Sequence, residues 1–131
     1  MINGDDMLLP ILKASPSFRP TWDEFLAEWK DETSHPVYLV LSDLARHIAE
    51  LKRNSREAEL RAIFEIVEMW HVDGDSYVKE AATIGLLEDL QNSNLVGDLS
   101  KSFVDYLGPE SKGWWCKVER FWEFRELIAD D

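Results

Sequence analysis

A chain of 131 residues, 45% of them hydrophobic, has the material for one sizeable core, and 31% charged residues give it a heavily charged exterior, which argues against wholesale disorder. A formal net charge of −12 repels a phosphate backbone and disfavours direct binding of DNA or RNA; it favours a basic protein partner, or serves solubility alone. The single cysteine, Cys116, cannot close an internal disulfide, Met1-Ile2-Asn3-Gly4-Asp5-Asp6 puts no basic region ahead of a long apolar stretch, and no apolar run is long enough for a membrane span, so a cytoplasmic protein is expected.

Taken in chain order, the first six residues read as frayed, Met7 to Lys13 as a short helix, and Ser15-Pro16-Ser17-Phe18-Arg19-Pro20 as a loop interrupted by its prolines. Residues 1–20 are therefore expected as a flexible N-terminal segment and 21–131 as a single helical domain, with compact structure starting near Thr21. Thr21 and Glu24 have capping-box spacing and predict a helix to about Glu32, with Trp22, Phe25, Leu26 and Trp29 on one core-facing side. Pro36 suits the first turn of the next helix, whose stripe is Val37, Leu41, Leu44, Ile48 and Leu51; Val37 to Leu41 alone would pass for a buried strand, but the stripe runs on in helical step. Asn54 with Glu57 predicts a third start, followed by Leu60, Ile63, Phe64, Val67 and Trp70, and the short connection makes these two helices antiparallel neighbours.

After Asp73-Gly74-Asp75-Ser76, a turn rich in capping groups, a fourth helix carries Val78, Ala81, Ala82, Leu86 and Leu90 as far as Asn92-Ser93-Asn94. Gly85 inside it costs about 1 kcal/mol in helix propensity, a cost that close approach of another helix would offset. A shorter helix is expected from about Asp98 to Tyr106, and a last one from Pro109 after Gly108, carrying Trp114, Trp115, Val118, Phe121 and Trp122. The fold class is all-α: a compact antiparallel bundle of about five to six helices with a HEAT-like helical hairpin at its centre.

That hairpin is a resemblance carried by named residues. From Ile63 to Leu90 the chain resembles one HEAT repeat: Asp73 in the turn, Val78 followed by Lys79, and the small pair Ala81 and Ala82 match its preferences, while Ser76 stands where the turn proline is usual. One copy does not make a solenoid, which needs several repeats with caps. The segment Leu107-Gly108-Pro109-Glu110-Ser111, the tryptophan-rich stretch after it and the central Ala81 to Asn92 resemble a family of small acidic bacterial proteins of uncharacterised function. The resemblance implies an association of some members with toxin and immunity loci, and it brings no catalytic residues with it.

Chemistry in the sequence is sparse. His71, Asp73 and Asp75 suggest a metal site, but the twelfth position of a calcium loop, which needs glutamate, falls on Ile84 or Leu86, so helix capping is the expected role of the aspartates. His35, His47 and His71 are dispersed and form no His-Glu-x-x-His pair, and His47 with Glu50 reads as one turn of surface helix. Cys116, beside Lys117 but with no histidine near, reads as a small buried hydrophobe rather than a nucleophile. No catalytic residue, metal ligand or cofactor is therefore assigned. Trp114 and Trp115 point about 100° apart on a helix, so either one is core and the other exposed, or both are buried against the bundle.

The charge is uneven. From Ala62 to Ser111 ten acids face two lysines, which leaves that half near −8, while Arg46 to Arg61 is locally basic. The candidate partner-binding residues are Glu88, Asp89, Asp98, Asp105, Glu110 and Trp114. The expected function is that of a non-catalytic protein-binding domain, in its specific form an immunity-type inhibitor covering a basic toxin surface, with no nucleic-acid or membrane partner. The alternatives are a HEAT-like adaptor for an endogenous protein, and a small enzyme whose site is too dispersed to recognise.

Overall fold

The computed structural model describes residues 1–33 and 35–124, so the part of the expected 21–131 domain beyond Phe124 lies outside the described residues. Among the described residues seven helices follow in order: α1 (Leu9–Ala14), α2 (Arg19–Glu28), α3 (Val37–Arg53), α4 (Glu57–Asp73), α5 (Ser76–Glu80, continued by the π-helical Ala81–Leu87 and a closing turn Glu88–Leu90), α6 (Ser93–Val96) and α7 (Pro109–Phe124). Pro16–Phe18 and Gly97–Tyr106 are 3-10 helical. Among the described residues there is no strand; the only β-type pairing is an isolated parallel bridge between Ile2 and Gly74.

The long helices form where apolar residues recur at helical spacing. α3 buries Val40, Leu41, Leu44, Ala45, Ile48, Ala49 and Leu51, and α4 buries Leu60, Ile63, Phe64, Val67 and Trp70. Full burial of each large side chain contributes about 1.5–3 kcal/mol. The two helices are joined without the expected cap: α4 starts at Glu57 with no side-chain cap, and Asn54 instead closes α3, its N–H donating to the Glu50 carbonyl. Ser55 makes the turn at φ 57°, in the left-handed region that favours glycine.

The core begins earlier than the prolines suggest. Met7, Ile11 and Phe18 are fully buried, Trp70 Nε1 donates to the Met7 carbonyl at 3.0 Å, and Ile2 exchanges backbone bonds with Asp73 and Asp75 at 2.9 and 2.8 Å. The loop prolines do not end compact structure because the 3-10 turn Pro16–Phe18 runs straight into α2. α2 therefore opens at Arg19, ahead of the Thr21 capping box, and Pro20 fits its first turn, where no helical hydrogen bond is lost. It ends at Glu28 rather than Glu32, and only Phe25 of its apolar side is buried; Trp22 and Leu26 stay half-buried because a cavity lies against them.

α5 is the least regular long element and the most enclosed. Its π-helical part packs chiefly on α3 and also on α7, and six of its seven residues are buried, with Ile84 facing out. A Cβ at Gly85 would stand 2.9 Å from Leu41 and 3.2 Å from Tyr38, the close approach that the glycine allows. Asp75 caps α5, its carboxylate accepting from the Val78 N–H at 2.9 Å. The all-helical architecture agrees with the sequence. α5 packs on α3 as well as on α4, which sets the α4–α5 pair inside the bundle.

Candidate functional site

The acidic half is built on α4, α5, the Gly97–Tyr106 segment and the start of α7. Six of its carboxylates, Glu65, Asp73, Glu80, Asp98, Asp105 and Glu110, are exposed, and none is ion-paired to a described residue. The four ion pairs between described residues all lie in the stretch from Asp43 to Glu59. Glu88 and Asp89, proposed from the sequence as partner contacts, are half-buried instead, and burial raises both carboxyl pKa values, reinforced at Glu88 by the charge of Asp89. The Ser42 hydroxyl donates to Asp89 at 2.7 Å, so that side chain ties α5 to α3. Asp98, Asp105 and Glu110 remain at the surface.

The tryptophans of α7 separate. Trp115 is buried with Val118, and Gln91 Nε2 donates to the Trp115 carbonyl at 3.0 Å; Trp114 is half-buried with the Lys117 ammonium 4.3 Å from its ring centre. Trp122 is 45% exposed and, with Trp115, Glu119 and Lys101, lines a shallow hollow of about 200 Å³ between α7 and the Gly97–Tyr106 segment. Cys116 is exposed, against the expectation of a buried side chain, because its neighbour Trp115 occupies the inward position.

The strongest polar constellation is internal. His71 is 3% exposed, its Nδ1 lies 3.1 Å from the Val67 carbonyl and 2.9 Å from Ser111 Oγ, and its Nε2 lies 3.1 Å from Thr83 Oγ1. A carbonyl only accepts, so the proton sits on Nδ1 and Nε2 accepts from the Thr83 hydroxyl. Burial drives the His71 pKa down to about 4, against the Val67 carbonyl and the Glu68 charge, which both favour the proton. Glu68 completes the group: its carboxylate accepts the N–H groups of Ser111 at 2.9 Å and Glu110 at 3.0 Å, capping α7. Burial opposes that carboxylate's charge, yet the two N–H groups hold its pKa below the usual range. Thr83, His71, Ser111 and Glu68 thus resemble a hydroxyl–imidazole relay, but none of them lines the cavity below or the hollow on α7. The sequence offered no sign of it, since Ser111 lies forty positions from His71.

A second cluster is more open. His47 Nε2 lies 2.9 Å from Ser15 Oγ and 3.3 Å from Ser17 Oγ, and both hydroxyls donate to Glu59 Oε1 at 3.3 and 3.2 Å. Phe18 packs on the imidazole at 5.2 Å and Arg56 pairs with Glu59 at 3.1 Å. His47 is therefore a bridge between α3 and the N-terminal segment, not one turn of surface helix. Its pKa is lowered by burial, against the opposing charges of Glu59 and Glu50.

A hollow of about 620 Å³ opens between the N-terminal segment, α2 and the starts of α3 and α5. Leu8, Trp22, Phe25, Leu26, Val37 and Val40 supply apolar wall, and Asp5, Asp75, Tyr77 and His35 polar groups. Trp22, Phe25 and Leu26, core residues by their spacing, and Asp75, a helix cap, share this one cavity, which local spacing does not reveal. The one available signal was the surplus of apolar residues on a short helix.

Among the described residues no helix is long and apolar enough to cross a membrane, and no group of three or more His, Cys, Asp or Glu side chains is placed to hold a metal ion. No curated protein and no solved structure matches the chain. A family model described as a domain of unknown function, DUF7674, matches residues 8–123, from the buried Leu8 to the exposed end of α7, and the chain belongs to that family.

Proposed function

We propose that this is a non-catalytic protein-binding domain that covers a basic protein surface with its Ala62 to Ser111 half and the adjoining end of α7, and that its specific form is an immunity-type inhibitor of a basic toxin. The observation that carries the reading is the set of six exposed carboxylates without ion-pair partners among the described residues, where the ion pairs between described residues all lie from Asp43 to Glu59. Charge of one sign left unneutralised accelerates encounter with an oppositely charged partner and sets its orientation. Trp122 and the hollow beside it add an aromatic anchor of the kind enriched in binding hot spots. The buried His71 group is assigned to stability. In a second reading, supported by Met69 and Val72 exposed on α4, the helices form a HEAT-like ridge that docks an endogenous protein through apolar contacts.

Capture with the tagged full chain in its own cells, followed by salt elution, tests the proposal. A stoichiometric basic partner is expected, released by salt, and lost when Asp98→Lys, Asp105→Lys and Glu110→Lys are combined. Asp23→Lys with Glu24→Lys, equally exposed but on α2, should retain it. Absence of any stoichiometric basic partner, or capture unaffected by the triple reversal, contradicts the reading. A salt-resistant partner lost on Met69→Ser with Val72→Ser would transfer support to the ridge.

A further inference from the structure

We infer that the cavity of about 620 Å³ beside α2 is a binding site for a small organic cation with an apolar body. Its volume falls within the roughly 300–1,000 Å³ common to small-molecule sites, and its wall combines the two features such a cation requires. The first is aromatic surface. Trp22 and Phe25 stack at 5.6 Å on one side, and Tyr77, set edge-on to Tyr38 at 6.3 Å, adds a third ring. Ring faces are electron-rich and attract a cation near them, most strongly where water is partly excluded.

The second feature is charge. Asp5 and Asp75 both line the cavity, no lysine or arginine does, and neither aspartate is ion-paired to a described residue. One oxygen of Asp75 is used by the Val78 N–H, and the other accepts no hydrogen bond from a described residue. An anion would meet two carboxylates set against one imidazole, that of His35, and a neutral apolar guest would gain nothing from either carboxylate. A cation with an apolar body satisfies both the rings and the acids.

The wall is also constructed rather than incidental. The Ile2 bridge to Gly74 pins the N-terminal segment beside α5, and the Asn3 side chain accepts from the Asp6 N–H at 3.0 Å to shape the turn between them. Gly4 lies so close beneath Tyr77 that a Cβ there would stand 2.9 Å from the ring. This inference does not depend on the protein-binding proposal, since it concerns a different class of ligand and a wall that takes only Asp75 and Tyr77 from the Ala62 to Ser111 half.

Calorimetry with the full chain at low salt tests it, using benzyltrimethylammonium and phenethylammonium as probes beside neutral phenethyl alcohol and anionic phenylacetate, while the Trp22 indole N–H is followed by NMR. Both cations should saturate below about 5 mM and move the Trp22 signal, with the alcohol roughly tenfold weaker and the carboxylate weaker still. Asp5→Asn and Tyr77→Leu, at exposed positions that leave folding intact, should each weaken the cations about three- to tenfold. Equal affinity for alcohol and cation would overturn the assigned ligand class. Failure of both cations to bind, or unchanged affinity in both variants, would overturn the site.

Discussion

The molecule holds two histidine clusters of nearly the same composition in opposite surroundings. His71 meets Ser111, Thr83 and the Val67 carbonyl in the interior, with Glu68 beyond Ser111; His47 meets Ser15 and Ser17 at a half-open seam, with Glu59 behind them. Burial separates their roles. Around His71 every lost bond leaves a polar group that water cannot reach, so the cluster joins α4, α5 and α7 with a large penalty for error. Around His47 water can replace a missing partner, and the cluster holds the N-terminal segment less stringently.

The largest break in that contrast is His71→Ala. It strands the Ser111 and Thr83 hydroxyls and opens a void, so chemical denaturation should show a loss of about 3–5 kcal/mol. Acid should come next. Above pH 6.5 the imidazole is neutral in folded and unfolded chains alike; below it the unfolded chain takes up a proton that folded His71, with its pKa near 4, refuses. Stability should therefore fall by about 3 kcal/mol between pH 6.5 and about 4, a loss seen in urea midpoints and reduced in His71→Gln. The depressed Glu68 pKa acts in the same sense at lower pH, since its stabilising charge is lost as the carboxylate protonates.

Glu68→Ala removes the acceptor for two N–H groups at the start of α7 and should cost about 1–2 kcal/mol in the same assay. His47→Ala should cost about 1 kcal/mol, and Ser17→Ala, at an exposed hydroxyl, under about 0.5 kcal/mol. A cost at His47 equal to that at His71 would erase the distinction drawn from burial.

Much of the fold was legible because it rests on local periodicity. The stripes of α3 and α4, the Asp75 cap, the start of α7 at Pro109 and the close approach at Gly85 all follow from spacing or from one residue's chemistry. Elements decided by distant packing were not. The π-helical Ala81–Leu87 and the 3-10 Gly97–Tyr106 carry apolar spacing that reads as ordinary helix, so their departure from α geometry has no local signal. Thr21 and Glu24 had the capping pattern, but the 3-10 turn before them had already started the helix. The acidic half could be read from composition, though not that Glu88 and Asp89 turn partly inward. The cavity was invisible because its wall joins positions as far apart as Gly4 and Tyr77.

In the proposed function the relay-like group at His71 is structural and binding belongs to the surface. An NMR titration of the histidine ring protons tests this most directly, since both clusters report in one sample. His71 should stay neutral, with its proton on Nδ1, down to about pH 4, and should charge after the half-exposed His47 as the pH falls. A His71 that titrates near 6.5, before or together with His47, would mean that water reaches the group and would contradict the account.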